Sequence, residues 1–154
     1  MTEQLDLFSN NPYARADESP KASDAERPIA PAYSRQTDGD TCHEAAARLN
    51  RSGRCAANER AVMDCVCRLG GQTACEIGHR TGLGHVEAQR RLSGLSCQLT
   101  NMGKSPVIKK GARKLCPIRL EEQKAEVSMV TWWLTGFGLQ IMREREAKRD
   151  VDCV

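Results

Sequence analysis

Residues 73–95 read TACEIGHRTGLGHVEAQRRLSGL. Thr73-Ala-Cys-Glu76 has the spacing of a capping box, in which the Thr73 hydroxyl takes a free amide of the first turn and Glu76 reaches back to the amide of Thr73. The helix it opens is short, carries Ala74, Cys75 and Ile77, and stops at Thr81-Gly82-Leu83. Gly82 can take a positive φ, which lets the chain reverse sharply. A further helix is expected from about His85 to Leu95, because Ala88, Leu92 and Leu95 stand at i, i+4 and i+7 and make one inward face. That register leaves His85, Gln89, Arg90 and Ser93 outward, with Val86 and Glu87 on the exposed first turn. A short helix and a tight turn hold the second helix proud of the body, so its first turns fit a DNA major groove. There Gln89 suits adenine, Arg90 suits guanine or a phosphate, and Val86 suits a thymine methyl.

Downstream the pattern changes. Gln98 to Met102 reads as a strand, and Gly103 to Arg119 contains six bases and no acid. Gly103 and Gly111 permit turns, Leu115, Ile118 and Leu120 would face a core from a returning strand, and Pro117 keeps that strand short or at an edge. The expectation is a hairpin with a basic tip, in which Lys104, Lys109, Lys110, Arg113 and Lys114 lie along phosphates and add affinity without base identity. A solvated lysine hairpin is the plainer alternative.

Upstream, Thr41-Cys-His-Glu44 has the spacing of another capping box and leads into an alanine-rich helix ended by Ser52-Gly53. A helix from near Asn58 follows, with Val62, Cys65, Val66 and Leu69 as its stripe and Gly70-Gly71 as its stop. Glu122 to Arg149 reads as one helix with Val130, Trp133, Phe137 and Ile141 in a row. Residues 41–121 contain no Phe, Tyr or Trp, so a core there is thin. Trp132, Trp133, Phe137 and Ile141 are therefore expected to cover it, within one chain or across a homodimer.

Charge is unevenly divided. The net charge is +3, yet Met1 to Asp40 holds eight acids against four bases, and the remainder holds 19 bases against 12 acids. An acidic tail on a basic body suits a nucleic-acid-binding protein. The first 40 residues carry four of the six prolines and no apolar period, the composition of a disordered segment. The three-part division is thus tail 1–40, winged domain 41–121 and C-terminal helix 122–154. The chain has eight cysteines but no CxxC pair and no apolar leader before them, which points to free thiols in a reducing cytoplasm, with no structural metal. Val127 to Met142 lacks charges but is 16 residues long, short of the roughly 20 that span a bilayer, so no membrane partner is expected. There is no Gly-rich phosphate loop, no Ser-His-Asp order and no carboxylate cluster, so neither a cofactor nor catalysis is expected. Cys75 and His79 share a helical face, but Cys75 reads as core and His79 as surface.

One short piece of the tail stands apart: Gln4-Leu5-Asp6-Leu7-Phe8. It resembles the peptide with which bacterial replication and repair proteins dock on the polymerase sliding clamp, and all five positions agree. The resemblance implies that Gln4 binds a pocket rim while Leu7 and Phe8 fill apolar pockets. Residues 73–95 likewise resemble the helix-turn-helix of winged-helix transcription regulators. With the Asn11 to Arg15 stretch and the Asp40 to Ala46 opening, the chain to about Leu120 is similar to small phage- and prophage-encoded winged-helix proteins. It departs from them at Gly78 and Gly84, where helix formers or caps are usual, and in continuing past the wing. The resemblance implies an α+β, mainly helical winged helix that binds double-stranded DNA. The other function it allows is a phage interaction protein that inhibits a host complex, clamp or defence machinery, with the winged helix as scaffold.

Overall fold

The structure, a computed structural model, describes residues 27–33, 37–98, 100–101 and 103–152. Along them run α1 (Asp40–Arg51), α2 (Arg54–Arg68), β1 (Gln72–Thr73), α3 (Ala74–Thr81), α4 (His85–Leu95), β2 (Ile108–Leu115), α5 (Pro117–Gln123), β3 (Ser128–Leu134) and α6 (Gly136–Asp152). The fold is α+β and mainly helical. The three strands form one antiparallel sheet in the order β1-β3-β2, so the last strand in sequence lies in the middle.

Local chemistry explains the centre of the chain. The Thr73–Glu76 capping box forms in both directions: the Glu76 amide donates to the Thr73 hydroxyl at 3.3 Å and the Thr73 amide donates to the Glu76 carboxylate at 2.8 Å. Gly82 ends α3 at φ +72° and α4 follows over the expected residues. The box at Thr41 does not form. Helix α1 starts at Asp40 with Gly39 as its cap, which places Thr41 inside the first turn, and the Asp40 carboxylate faces the positive helix end instead. Helix α2 begins at Arg54, four residues before the expected Asn58. Gly53 at φ +73° makes the break from α1, and the added turn buries Cys55 and Ala56.

The single helix expected over Glu122 to Arg149 is instead the end of α5, strand β3 and helix α6. Residues 128–134, SMVTWWL, are rich in β-branched and aromatic side chains, which suit a pleated surface. Thr131 and Trp132 are buried, Trp132 at 2% exposure, while Trp133 is turned out at 45%. Thr135 then caps α6. Its hydroxyl accepts the Gly138 amide at 3.0 Å and its own amide donates to Val107 O at 3.1 Å. The strand expected over Gln98–Met102 is reduced, among the described residues, to one bridge between Thr100 and Gly103. A boundary after residue 121 is thereby corrected, because β3 is the centre of the sheet.

The core gathers Val62, Met63 and Val66 of α2, Ile77 of α3, Ala88, Leu92 and Leu95 of α4, Val107 and Ile108, Trp132 of β3, and Ile141 and Met142 of α6. It also takes Ile29, from the segment expected to be disordered. Burying one isoleucine contributes about 2 kcal/mol. The buried Glu59 of α2 holds this strap, accepting the Ile29 amide at 2.6 Å and the Ala30 amide at 2.7 Å. Asn50 pairs in both directions with the backbone of Ala32, and Asn101 bonds to Pro28 and Ile29. A Cβ on Gly94 would stand 2.9 Å from that of Ala30, so the strap lies directly against α4. No helix among the described residues is long and apolar enough to cross a membrane.

Candidate nucleic-acid interface

Helix α4 is placed by α3 through two glycines. The Gly84 amide donates to Gly78 O at 3.2 Å, and Gly84 itself sits at φ +78°. Ala88, Leu92 and Leu95 are fully buried, as their spacing requires. Arg91 is buried too. Its Nη1 donates to the Cys55 sulfur at 2.6 Å, while its Nε lies 3.2 Å from Glu87 Oε1 but off the line of a hydrogen bond. Asn58 also donates to Glu87 Oε1, at 3.1 Å, and Arg90 lies 3.9 Å from the other oxygen. Glu87, the one acid on α4, is thus drawn inward and neutralised.

The outward side of α4 carries Val86 at 61% exposure, Gln89, Arg90 and Ser93. Gln89 donates to the Ser93 hydroxyl at 3.2 Å, which pre-orients its amide. His85 differs from these four in its partners. Its Nδ1 stands 3.2 Å from the Cys75 thiol, which also receives Arg119 Nε at 3.4 Å. Burial, then the Arg119 charge, holds the imidazole below its ordinary range, so the fold favours the neutral ring. Burial likewise pushes the Cys75 thiol up, against the Arg119 hydrogen bond. His79 is exposed and Cys75 is core.

The basic strand starts beside the end of α4 after the 96–107 connection, since the Val107 amide donates to Leu95 O at 2.9 Å. The expected basic tip is corrected. Lys109, Lys110, Arg113 and Lys114 lie along β2, paired in register with β3, and the connection between these strands holds α5 with Glu121 and Glu122. Pro117 opens that helix, which is why the chain does not return at once as a strand. Neither β2 nor β3 contains an acid. The bases are not equivalent. Lys104 and Lys109 are exposed, Lys110 stands over the Trp132 ring at 5.8 Å, and Arg113 donates to Ser128 O at 2.7 Å. Lys114 is tied to Glu76 at 2.9 Å. Burial pushes the Glu76 carboxyl up, but the Thr73 and Lys114 hydrogen bonds outweigh it and hold the group below the ordinary carboxylate range.

The residues expected to cover the core or meet a second subunit do not share one face. Trp132 and Ile141 are buried in this chain's own core, Phe137 packs at its edge, and Trp133 faces out. The peptide Gln4 to Phe8 lies outside the described residues. Glu59 and Arg91 were not singled out from the sequence, although Cys55, Glu59, Val62 and Val66 recur at helical spacing, a register that marks Glu59 as inward. Among the described residues no three His, Cys, Asp or Glu side chains converge as a metal site, and the seven described cysteines are free thiols. The chain matches no protein-family model, no curated protein and no solved structure.

Proposed function

We propose that the protein is a winged helix-turn-helix that binds double-stranded DNA, with α4 in the major groove and the β2–β3 ribbon as its wing. One observation carries this reading. The only acid of α4 is turned inward by Arg91 and Asn58, which leaves Val86, Gln89, Arg90 and Ser93 outward on a helix whose end is hydrogen-bonded to the start of an acid-free basic strand. Gln89 and Arg90 would read base edges, while Lys104, Lys109, Lys110 and Arg113 would lie near phosphates. Lys114 belongs to the scaffold in this reading, through Glu76. The Gln4–Phe8 peptide extends the proposal to a phage or prophage protein that works in a bacterial cytoplasm at the replication machinery, tethered to the sliding clamp. The test is affinity for labelled duplex DNA across a salt series. Counterion release requires a linear fall of log affinity with log salt. Absence of binding at low salt overturns the reading.

A second reading has its own support. Leu115, Leu120 and Val127 are exposed large apolar side chains at or beyond the far end of the β2–β3 ribbon. Exposed apolar side chains there favour a non-enzymatic interaction protein that inhibits a host complex. In that reading Leu115→Glu abolishes partner capture and leaves DNA affinity unchanged.

A further inference from the structure

Trp133 is a large aromatic side chain left open on the face of the sheet opposite Trp132, and its surroundings are unusual. A Cβ on Gly70 would stand 2.7 Å from its Cε3 and Cζ3, one on Gly71 2.7 Å from its Cζ2, and one on Gly111 2.5 Å from its Nε1. Three glycines from two different segments therefore form the bed of the indole. The six-membered ring rests over Gly70 and Gly71 and the pyrrole edge over Gly111. No side chain from those positions competes for the space, and the ring is held without being covered. Its cross-strand partner is Lys109, an exposed cation on the same face. Arg68, also exposed, precedes Gly70 by two residues, and neither flanking strand carries an acid.

We propose that this face is a second nucleic-acid site, for an unpaired nucleotide of a single strand, whose base stacks on Trp133 and whose phosphate pairs with Lys109. The argument is one of shape and charge together. A fixed, flat indole with one open side takes the π-face of any base, and a lysine beside it takes the adjoining phosphate, which is how single strands are held without sequence preference. An apolar protein segment would use the ring but not the cations, and a duplex offers no exposed base face. Trp133 is separate from Val86, Gln89, Arg90 and Ser93, whereas Lys109 is shared with the proposed wing, so the stacking side chain and not the lysine distinguishes this site from duplex binding.

The experiment uses the whole protein labelled with ¹⁵N, titrated at low salt with octathymidylate and, in a parallel arm, octauridylate. The chain has two tryptophans, and Trp133→Ala assigns their indole N–H signals. The Trp133 signal is expected to move and saturate while that of Trp132 stays. Both oligonucleotides are expected to act, because stacking uses the π-face that both bases present. Trp133→Ala should weaken binding roughly tenfold, with partial recovery in Trp133→Phe, as base–aromatic stacking requires. Lys109→Ala should lower the salt slope by about 0.7, the value for one phosphate of a single strand. Arg90→Ala should leave single-strand affinity unchanged even where it weakens duplex binding. The proposal is overturned by an immobile Trp133 signal or by unchanged affinity in Trp133→Ala. Loss of single-strand binding in Arg90→Ala also overturns it, since the strand then lies on α4. So does a Trp133 signal that shifts with protein concentration alone, which would show a second copy covering the ring.

Discussion

Gly78 and Gly84 are in backbone contact: a Cβ on Gly78 would stand 2.5 Å from the carbonyl oxygen of Gly84. The two glycines are therefore one feature. Bare backbone on α3 lets the turn lie against it and sets the angle at which α4 leaves.

Gly78→Ala is expected to destabilise the protein by about 2–3 kcal/mol, because backbone rather than a flexible side chain must move. Gly82→Ala meets open space but forces a side chain onto φ +72°, at a cost of about 1 kcal/mol. Urea denaturation of both variants, with equal slopes, checks the order. A larger loss in Gly82→Ala would contradict the contact as the controlling feature.

Glu59 uses both carboxylate oxygens to hold the strap. Glu59→Gln turns an amide NH₂ toward a backbone N–H, leaving a donor unsatisfied, and should cost about 2 kcal/mol. Ile29→Ala empties a fully buried site and should cost about 3 kcal/mol. Because the two act on one strap, the double variant should cost less than their sum, which a double-mutant cycle measures.

The bases of β2 should separate by role. Lys109→Ala is expected to reduce the salt slope of duplex binding by about 1. Lys114→Ala should leave that slope nearly unchanged and lower stability by under about 1 kcal/mol, since Lys114 is partly exposed and solvent screens its pair with Glu76. Equal slope losses at Lys109 and Lys114 would show that the ion pair opens on DNA.

Acid should loosen the start of α4. The folded state holds His85 below its ordinary value through burial and the Arg119 charge, so folding favours the neutral ring. Stability from this site is complete above about pH 6.5, the free imidazole value, and is lost as pH falls through the folded value. Glu59 acts in the opposite sense: burial raises its value, so its contribution is lost as pH rises through that value. Comparing urea midpoints of the wild type and His85→Gln between about pH 8 and about pH 5.5 cancels Glu59. The difference between them should shrink as pH falls. A constant difference would show that His85 does not titrate in this range.

The run from Thr73 to Leu95 was legible because its rules are local: a cap three residues from its partner, a turn glycine, and apolar residues four apart. Strand β3 was not. Val130, Trp133, Phe137 and Ile141 fit a helical period as well as they fit a strand followed by a helix. What decides between them is pairing with β1 and β2, which no local window contains. The strap was hidden for a similar reason, since Ile29 is a single apolar residue in a polar stretch. The basic cluster was visible as composition, but Lys114 is distinguished from Lys109 only by Glu76, 38 residues away along the chain.

The position of β3 governs when this protein can fold. Its central strand and the residues that close the core, Trp132, Ile141 and Met142, all emerge from the ribosome after β1 and β2. A nascent chain that has reached α5 has two sheet edges with nothing between them, although α2, α3 and α4 can already pack on one another. Contacts so distant in sequence form slowly. Until synthesis reaches α6, the part of the core that Trp132, Ile141 and Met142 close stays open to chaperones and proteases.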